Sequence, residues 1–282
     1  MTKILVPVDY SEGAGNALNF AIEIARKTNA GIMLMHVFDT PVLYPELPLS
    51  AKEMDFSTIY NAALKQLKEY HDNISVAAPE IKFELMLQHG LASSRIIETA
   101  LEKKVDLVVM CTSGKGAIER LIMGSNTLRV IKKAPCLVLV IPPASKFEGF
   151  STIVYATDLE TDNLKHIKRV LPLANMFNSE ILFLNVDATY TTKATEEIIH
   201  EAEQRIRKYF PYSNMSVHLS KEISVAHGIS QFMKKTKSHC LAVYARRKNI
   251  LDSILEPHIA ENLAVHTSAP LLVIHKKDHM ES

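Results

Sequence analysis

The sequence predicts an α/β protein made of two doubly wound domains in tandem. Each domain is expected to be a five-stranded parallel sheet in the order 3-2-1-4-5, flanked by helices, with the two copies paired through their last strands. Three observations carry this. Four sequence blocks recur in the same order in both halves of the chain. The blocks are short, β-branched and apolar almost end to end, as suits strands covered on both faces. The segments between them place apolar residues at helical spacing.

The first block, Ile4-Leu5-Val6-Pro7-Val8-Asp9, recurs as Ile153-Val154-Tyr155-Ala156-Thr157-Asp158. The second, at 32–39, recurs at 180–187. The third, Leu107-Val108-Val109-Met110-Cys111, is matched to Leu241-Ala242-Val243-Tyr244-Ala245. The fourth, at 134–141, recurs at 269–275. Four blocks in preserved order are far more specific than any one of them. Strands are expected near 3–8, 31–37, 82–88, 107–111 and 137–141, then near 152–156, 180–186, 216–220, 240–245 and 271–275. Helices are expected near 14–28, 51–76, 92–103 and 125–133. Their apolar stripes are Leu18, Ala21, Ile22 and Ala25, then Ala63, Leu64, Leu67 and Tyr70, then Ile96, Ile97, Ala100 and Leu101. In the second half Ile198, Ile199, Ala202 and Ile206 repeat the theme. Alternating strand and helix implies right-handed crossovers.

A length of 282 residues suggests two domains, at about 100–200 residues each. The boundaries expected are 1–142 and 150–277. Between them the run Pro142-Pro143-Ala144-Ser145-Lys146-Phe147-Glu148-Gly149 reads as an exposed joint. The second half is shorter, chiefly because it lacks a counterpart of the three-proline stretch at 39–48.

Bulk composition narrows the function classes. With 32 basic and 31 acidic residues the net charge is +1, so neither nucleic acid nor an anionic membrane is an expected partner. The opening apolar run breaks at Asp9, too soon for a signal peptide or a membrane span. Three widely spaced cysteines argue for a reducing, cytoplasmic setting rather than a disulfide framework. The 12 histidines are scattered and no metal-ligand spacing appears.

The chemistry concentrates after the fourth strand. There the chain runs through Gly114, Lys115 and Gly116 to Gly124-Ser125-Asn126-Thr127, and a helix follows. Glycines let backbone N–H groups approach a phosphate closely. Gly124 leads into a helix whose unpaired N–H groups and dipole favour an anion. Ser125 or Thr127 would add a hydroxyl, and Lys115 and Arg120 positive charge. A plain turn and helix cap is the alternative. The spacing is not that of a Walker A loop. In a doubly wound sheet, ligands sit beyond the carboxyl ends of the strands where the winding reverses. That crevice lies between strand 1, ending Pro7-Val8-Asp9-Tyr10-Ser11, and strand 4, ending at Cys111. Asp9 is placed to reach a ribose or base edge, or to cap the following helix.

Val8-Asp9-x-Ser11, Gly114 followed by nine residues and Gly124-Ser125, and the tail Val130-Ile131-Lys132-Lys133-Ala134-Pro135-Cys136 together resemble the universal stress protein family. The resemblance covers nearly the whole chain as two copies. It implies a five-stranded α/β fold, a site for ATP or a related adenine nucleotide with or without Mg²⁺, and pairing through the last strand. The expected nucleotide contacts are Pro7, Val8, Asp9 and Ser11 on strand 1, Val37 on strand 2, and Gly114, Lys115, Gly124, Ser125, Asn126 and Thr127. No catalytic or metal residue is expected. Nucleotide-binding members read Gly-x-x-Gly, nine residues, then Gly-Ser/Thr. Here Cys111 occupies the first glycine position, either as a redox-sensitive thiol or as a buried strand-end residue.

The corresponding stretch of the second half, 245–262, has no glycine, and Glu160 stands where Ser11 would be. That copy is expected to be a scaffold without a phosphate site, its Arg246-Arg247-Lys248 a solvated basic turn or a site for another anion. Three functions follow: a stress or signalling protein that binds a nucleotide and contacts a protein partner, a nucleotide-free interaction scaffold, or a slow ATPase. The pseudo-dimer within one chain leaves room for a further homodimer. The third function has least behind it, because Glu119 is the nearest acid to the loop and no general base stands beside it.

Overall fold

A computed structural model describes residues 1–39, 49–112, 123–159, 164, 166–187, 196–245 and 269–275. The first five strands are β1 Lys3–Pro7, β2 Gly31–Phe38, β3 Phe83–His89, β4 Leu107–Cys111 and β5 Leu137–Ile141. The next five are β6 Thr152–Ala156, β7 Glu180–Asp187, β8 Met215–Lys221, β9 Cys240–Tyr244 and β10 Leu271–Ile274. The helices are α1 Glu12–Thr28, α2 Leu49–Ala77, α3 Ala92–Glu102, α4 Ser125–Lys133, α5 Leu171–Phe177, α6 Glu196–Tyr209 and α7 Val225–Thr236. A 3₁₀ turn at Lys168–Val170 precedes α5.

All ten strands form one sheet in the order β3-β2-β1-β4-β5-β10-β9-β6-β7-β8. Each half has the order 3-2-1-4-5 with parallel neighbours. The exception is the central pair, where β10 runs antiparallel to β5. Helices cover both faces, which is why the strands read as continuous apolar runs. Ile4, Val6, Val109 and Cys111 face the layer that includes α1, α2 and α6. Leu5, Val108 and Met110 face the layer of α3, α4 and α7. Every residue of β5 is buried, so β10 removes a long apolar edge that would otherwise invite pairing with another chain.

The two halves are related by a pseudo-two-fold axis. Val108 pairs with Leu5 and Leu241 with Val154, so those two residues are equivalent. Val138 and Leu271 pair with them in turn, which makes Leu139 and Leu272 equivalent to each other. Leu139 also faces Leu272 across the seam, so the axis passes through that pair. From β1 to the end of β2 the halves match without insertion. Tyr10 and Leu159 share a left-handed backbone at φ 62° and 61°. Asn29 and Asn178 both end their helices in the left-handed region.

Three expectations are corrected. The last three blocks are offset from their repeats: Ile32 corresponds to Ile181 rather than Glu180, Cys111 to Tyr244 rather than Ala245, and Leu139 to Leu272, so Ala134 does not match Ala269. A strand buried on both faces has no alternation to mark its register. Leu101, read as core, is 62% exposed at the end of α3. The joint at 142–149 is partly sunk into the protein. Phe147 packs edge-on against Phe20 at 5.2 Å and Phe150 at 5.6 Å, and Ser145 is buried.

Candidate functional site

The switch point of the first half lies where β1 and β4 end side by side. The turn after β1 is tightly built. Ser11 Oγ donates to Asp9 Oδ1 at 2.6 Å, and Ser11 N–H donates to the same oxygen at 3.0 Å. Ser11 Oγ in turn accepts from Ala14 N–H at 3.2 Å and caps α1. The cap is therefore Ser11, with Asp9 holding it, rather than Asp9 itself. Its hydroxyl is spent on these two partners, which limits what Ser11 offers a ligand. Val8 N–H donates to the Met35 carbonyl at 2.7 Å. His36 Nδ1 lies 2.7 Å from the Val8 carbonyl. A carbonyl only accepts, so that nitrogen carries the hydrogen.

Tyr10 rests against His36, ring centroids 4.6 Å apart, and edge-on to Tyr70 at 5.2 Å. Burial, then the neighbouring Tyr70, pushes the Tyr10 hydroxyl up to about 12. Burial, then Asp9, raises Tyr70 as well. Both phenols stay protonated at neutral pH. Pro7 and Val37 are half-buried, and Val8 is buried.

The other wall comes from β4 and α4. Thr112 N–H donates to the Ile141 carbonyl at 3.1 Å, and the Thr112 carbonyl accepts from Gly124 N–H at 2.7 Å. Thr127 Oγ1 donates to the Cys111 carbonyl at 3.1 Å. These bonds stitch the start of α4 to the end of β4. Gly124 is the N-cap, with extended backbone and no side-chain cap. The first-turn N–H groups of α4 have no acceptor within the helix, and they carry the positive end of its dipole. Ser125 and Asn126 at that end are exposed. Thr127 is not: it is buried, and its hydroxyl is a fastener rather than a ligand donor. Gly114 and Lys115, with Arg120 and Glu119, lie outside the described residues.

Cys111 is a buried strand-end cysteine on the α1 face. Cys136 and Cys240 are buried too, and burial pushes each thiol up to about 12. Sequence reading missed Tyr10, His36, Tyr70 and Thr112. A histidine within an apolar strand block was a visible signal, whereas a left-handed tyrosine leaves none. The Thr112 hydroxyl is buried beside Gly124 with no hydrogen-bond partner among the described residues.

The second half keeps the frame and carries larger rings behind the end of its fourth strand. Asn185 Nδ2 donates to the Thr157 carbonyl at 3.0 Å, where His36 serves Val8. His166 stacks on Tyr244 with centroids 4.5 Å apart and planes 9° from parallel. By the internal equivalence these large rings replace Ala17 and Cys111. The basic turn 246–248 and the stretch through 262 lie outside the described residues. Among the described residues no group of three acidic, His or Cys side chains is placed to hold a metal. No helix there is long and apolar enough to cross a membrane.

These features define a doubly wound α/β protein with a candidate anion site at the switch point of one half. The sequence model of the universal stress protein family matches residues 1–142, and the chain belongs to that family. A universal stress protein of Methanocaldococcus jannaschii is 34% identical over 146 residues, covering 51% of this chain and 84% of the relative. A relative from Staphylococcus haemolyticus is 31% identical, covering 49% and 82%. A crystal structure of a universal stress protein from Archaeoglobus fulgidus aligns over 98% of this chain and 97% of its own, at TM-score 0.69 and 17% identity. That likeness bears on the fold.

Proposed function

We propose that the first half binds an adenine nucleotide, ATP as its Mg²⁺ complex above all, and that the second half serves as a pseudo-dimer scaffold. The nucleotide-binding unit spans 1–142 and the scaffold unit 150–277. The observation that carries the reading is the convergence of the Asp9 turn with the N-terminal end of α4, at the point where the sheet reverses its winding. A triphosphate would sit against the N–H groups of Ser125 and Asn126, with Gly114, Lys115 and Gly124 closing the loop around it. Asp9, held at one oxygen by Ser11, would accept from a ribose hydroxyl. Pro7, Val8 and Val37 would border the base. Ligand binding, rather than turnover, would bias contact with a protein partner in a cytoplasmic setting.

Calorimetric titration of the full chain with Mg-ATP tests this. One site per chain is expected, because 245–262 has no glycine and Glu160 stands in the place of Ser11. No heat attributable to binding would favour the nucleotide-free scaffold, for which Cys111 in place of a glycine is the specific observation.

A further inference from the structure

His275 directly follows β10 and is 6% exposed. The antiparallel register of the seam sets it opposite Cys136. Its Nδ1 lies 2.9 Å from the Cys136 carbonyl. Its Nε2 lies 2.5 Å from the carbonyl of Ile131, in the last turn of α4. Both partners are acceptors, so each contact becomes a hydrogen bond when the nitrogen facing it carries a hydrogen. The neutral ring supplies one such hydrogen and the imidazolium two. His275 is itself held, since Arg169 Nη1 donates to its carbonyl at 2.5 Å.

A chain of contacts therefore runs from the 3₁₀ turn of the second half, through Arg169 and His275, to α4 of the first half, and it is bonded throughout when Nε2 carries the ring hydrogen. The link is one-directional. By the internal equivalence the position of His275 in the first half is Pro142, which has no side-chain donor. The first half cannot return the grip. With nine residues, α4 is too short to hold itself in place, so its setting depends on what ties it down. Its start is tied to β4 by Thr127 and Gly124. Its end is tied across the seam.

We infer that His275 is a positioning residue through which the second half sets α4 of the first half, and with it the first-turn N–H groups at the helix start. The second half then has a task of its own in the first half's site, beyond closing an apolar edge. The functional arm of this inference rests on the nucleotide reading above, whereas the tie itself does not.

The test uses the full chain with His275→Gln, His275→Asn and His275→Ala. Glutamine can bring its amide nitrogen to where Nε2 stands and so keep Ile131. Asparagine reaches only the place of Nδ1 and keeps Cys136. Amide hydrogen exchange is read over 128–134 without nucleotide, with β1 and β7 amides as controls. Exchange in α4 should rise about five- to tenfold in the Ala and Asn variants, and stay within about twofold of wild type in the Gln variant. If His275→Ala does not fold, the Gln and Asn pair decides alone. Equal exchange in Gln and Asn, or no change in any variant, overturns the tie. Mg-ATP affinity should fall with Asn and be kept with Gln. Unchanged affinity in the Asn variant would overturn the functional arm. A wild type that binds no ATP removes the nucleotide reading, while the exchange result still decides the tie.

Discussion

Thr127 donates to the carbonyl of Cys111 at 3.1 Å, sixteen residues back along the chain. The bond crosses the whole loop between β4 and α4 and fixes how the helix leaves the sheet. A residue whose hydroxyl suggests a ligand contact thus acts one step behind the site. Thr127→Val keeps the shape and removes the donor to the Cys111 carbonyl. It should cost about 1–3 kcal/mol in denaturant unfolding. Thr127→Ser keeps the donor and should recover most of that loss. Equal stability of the Val and Ser variants would show the bond to be idle.

The axis pair offers a second expectation. Leu139 and Leu272 are both fully buried, face each other and occupy equivalent positions. Either Leu→Ala change should cost about 2–5 kcal/mol. The two costs should be similar because the surroundings are related by the pseudo-two-fold. Residues in contact couple, so the double variant should depart from the sum by about 0.5 kcal/mol or more. Urea unfolding of the four proteins reads this directly.

Acid should weaken the fold through two histidines. Burial holds the pKa of His275 below its ordinary 6.5, with Arg169 acting in the same direction and the two carbonyls opposing. Burial likewise lowers His218. A lowered histidine pKa means that the unfolded chain binds more protons than the folded one as pH falls below 6.5. Their neutral forms therefore leave stability intact above that value, and it is lost as pH drops toward the folded pKa. Melting temperature measured from pH 7.5 to 5 should decline below 6.5. The His275→Gln variant should decline less steeply. A variant with the wild-type slope would clear His275 of the effect.

The fold was legible because both faces of the sheet are covered, which writes the strands as dense apolar runs and makes their recurrence plain. The same burial erased the register of β9, since Leu241 and Ala242 are equally at home on either face. At the site, Asp9 and Gly124 stood out by residue type and by place in the repeat. What Ser11 and Thr127 do was not legible, because a hydroxyl in sequence does not say which acceptor it will meet. His275 meets Ile131 across 144 residues, and only the antiparallel seam brings them together. Tyr10 holds a left-handed turn without a glycine to announce it.

Thermal unfolding with and without millimolar Mg-ATP, on wild type and Gly124→Glu, tests the nucleotide site most directly. Gly124 has φ −61°, so a glutamate fits its backbone and sets a negative charge where the phosphates would lie. A ligand at about 100 times its Kd adds about 2.7 kcal/mol to the stability of the form that binds it. The wild-type melt should rise by several degrees with Mg-ATP, and the variant should melt at one temperature with or without it. A wild type unmoved by Mg-ATP, or a variant that shifts as far as wild type, would contradict a nucleotide held at the start of α4.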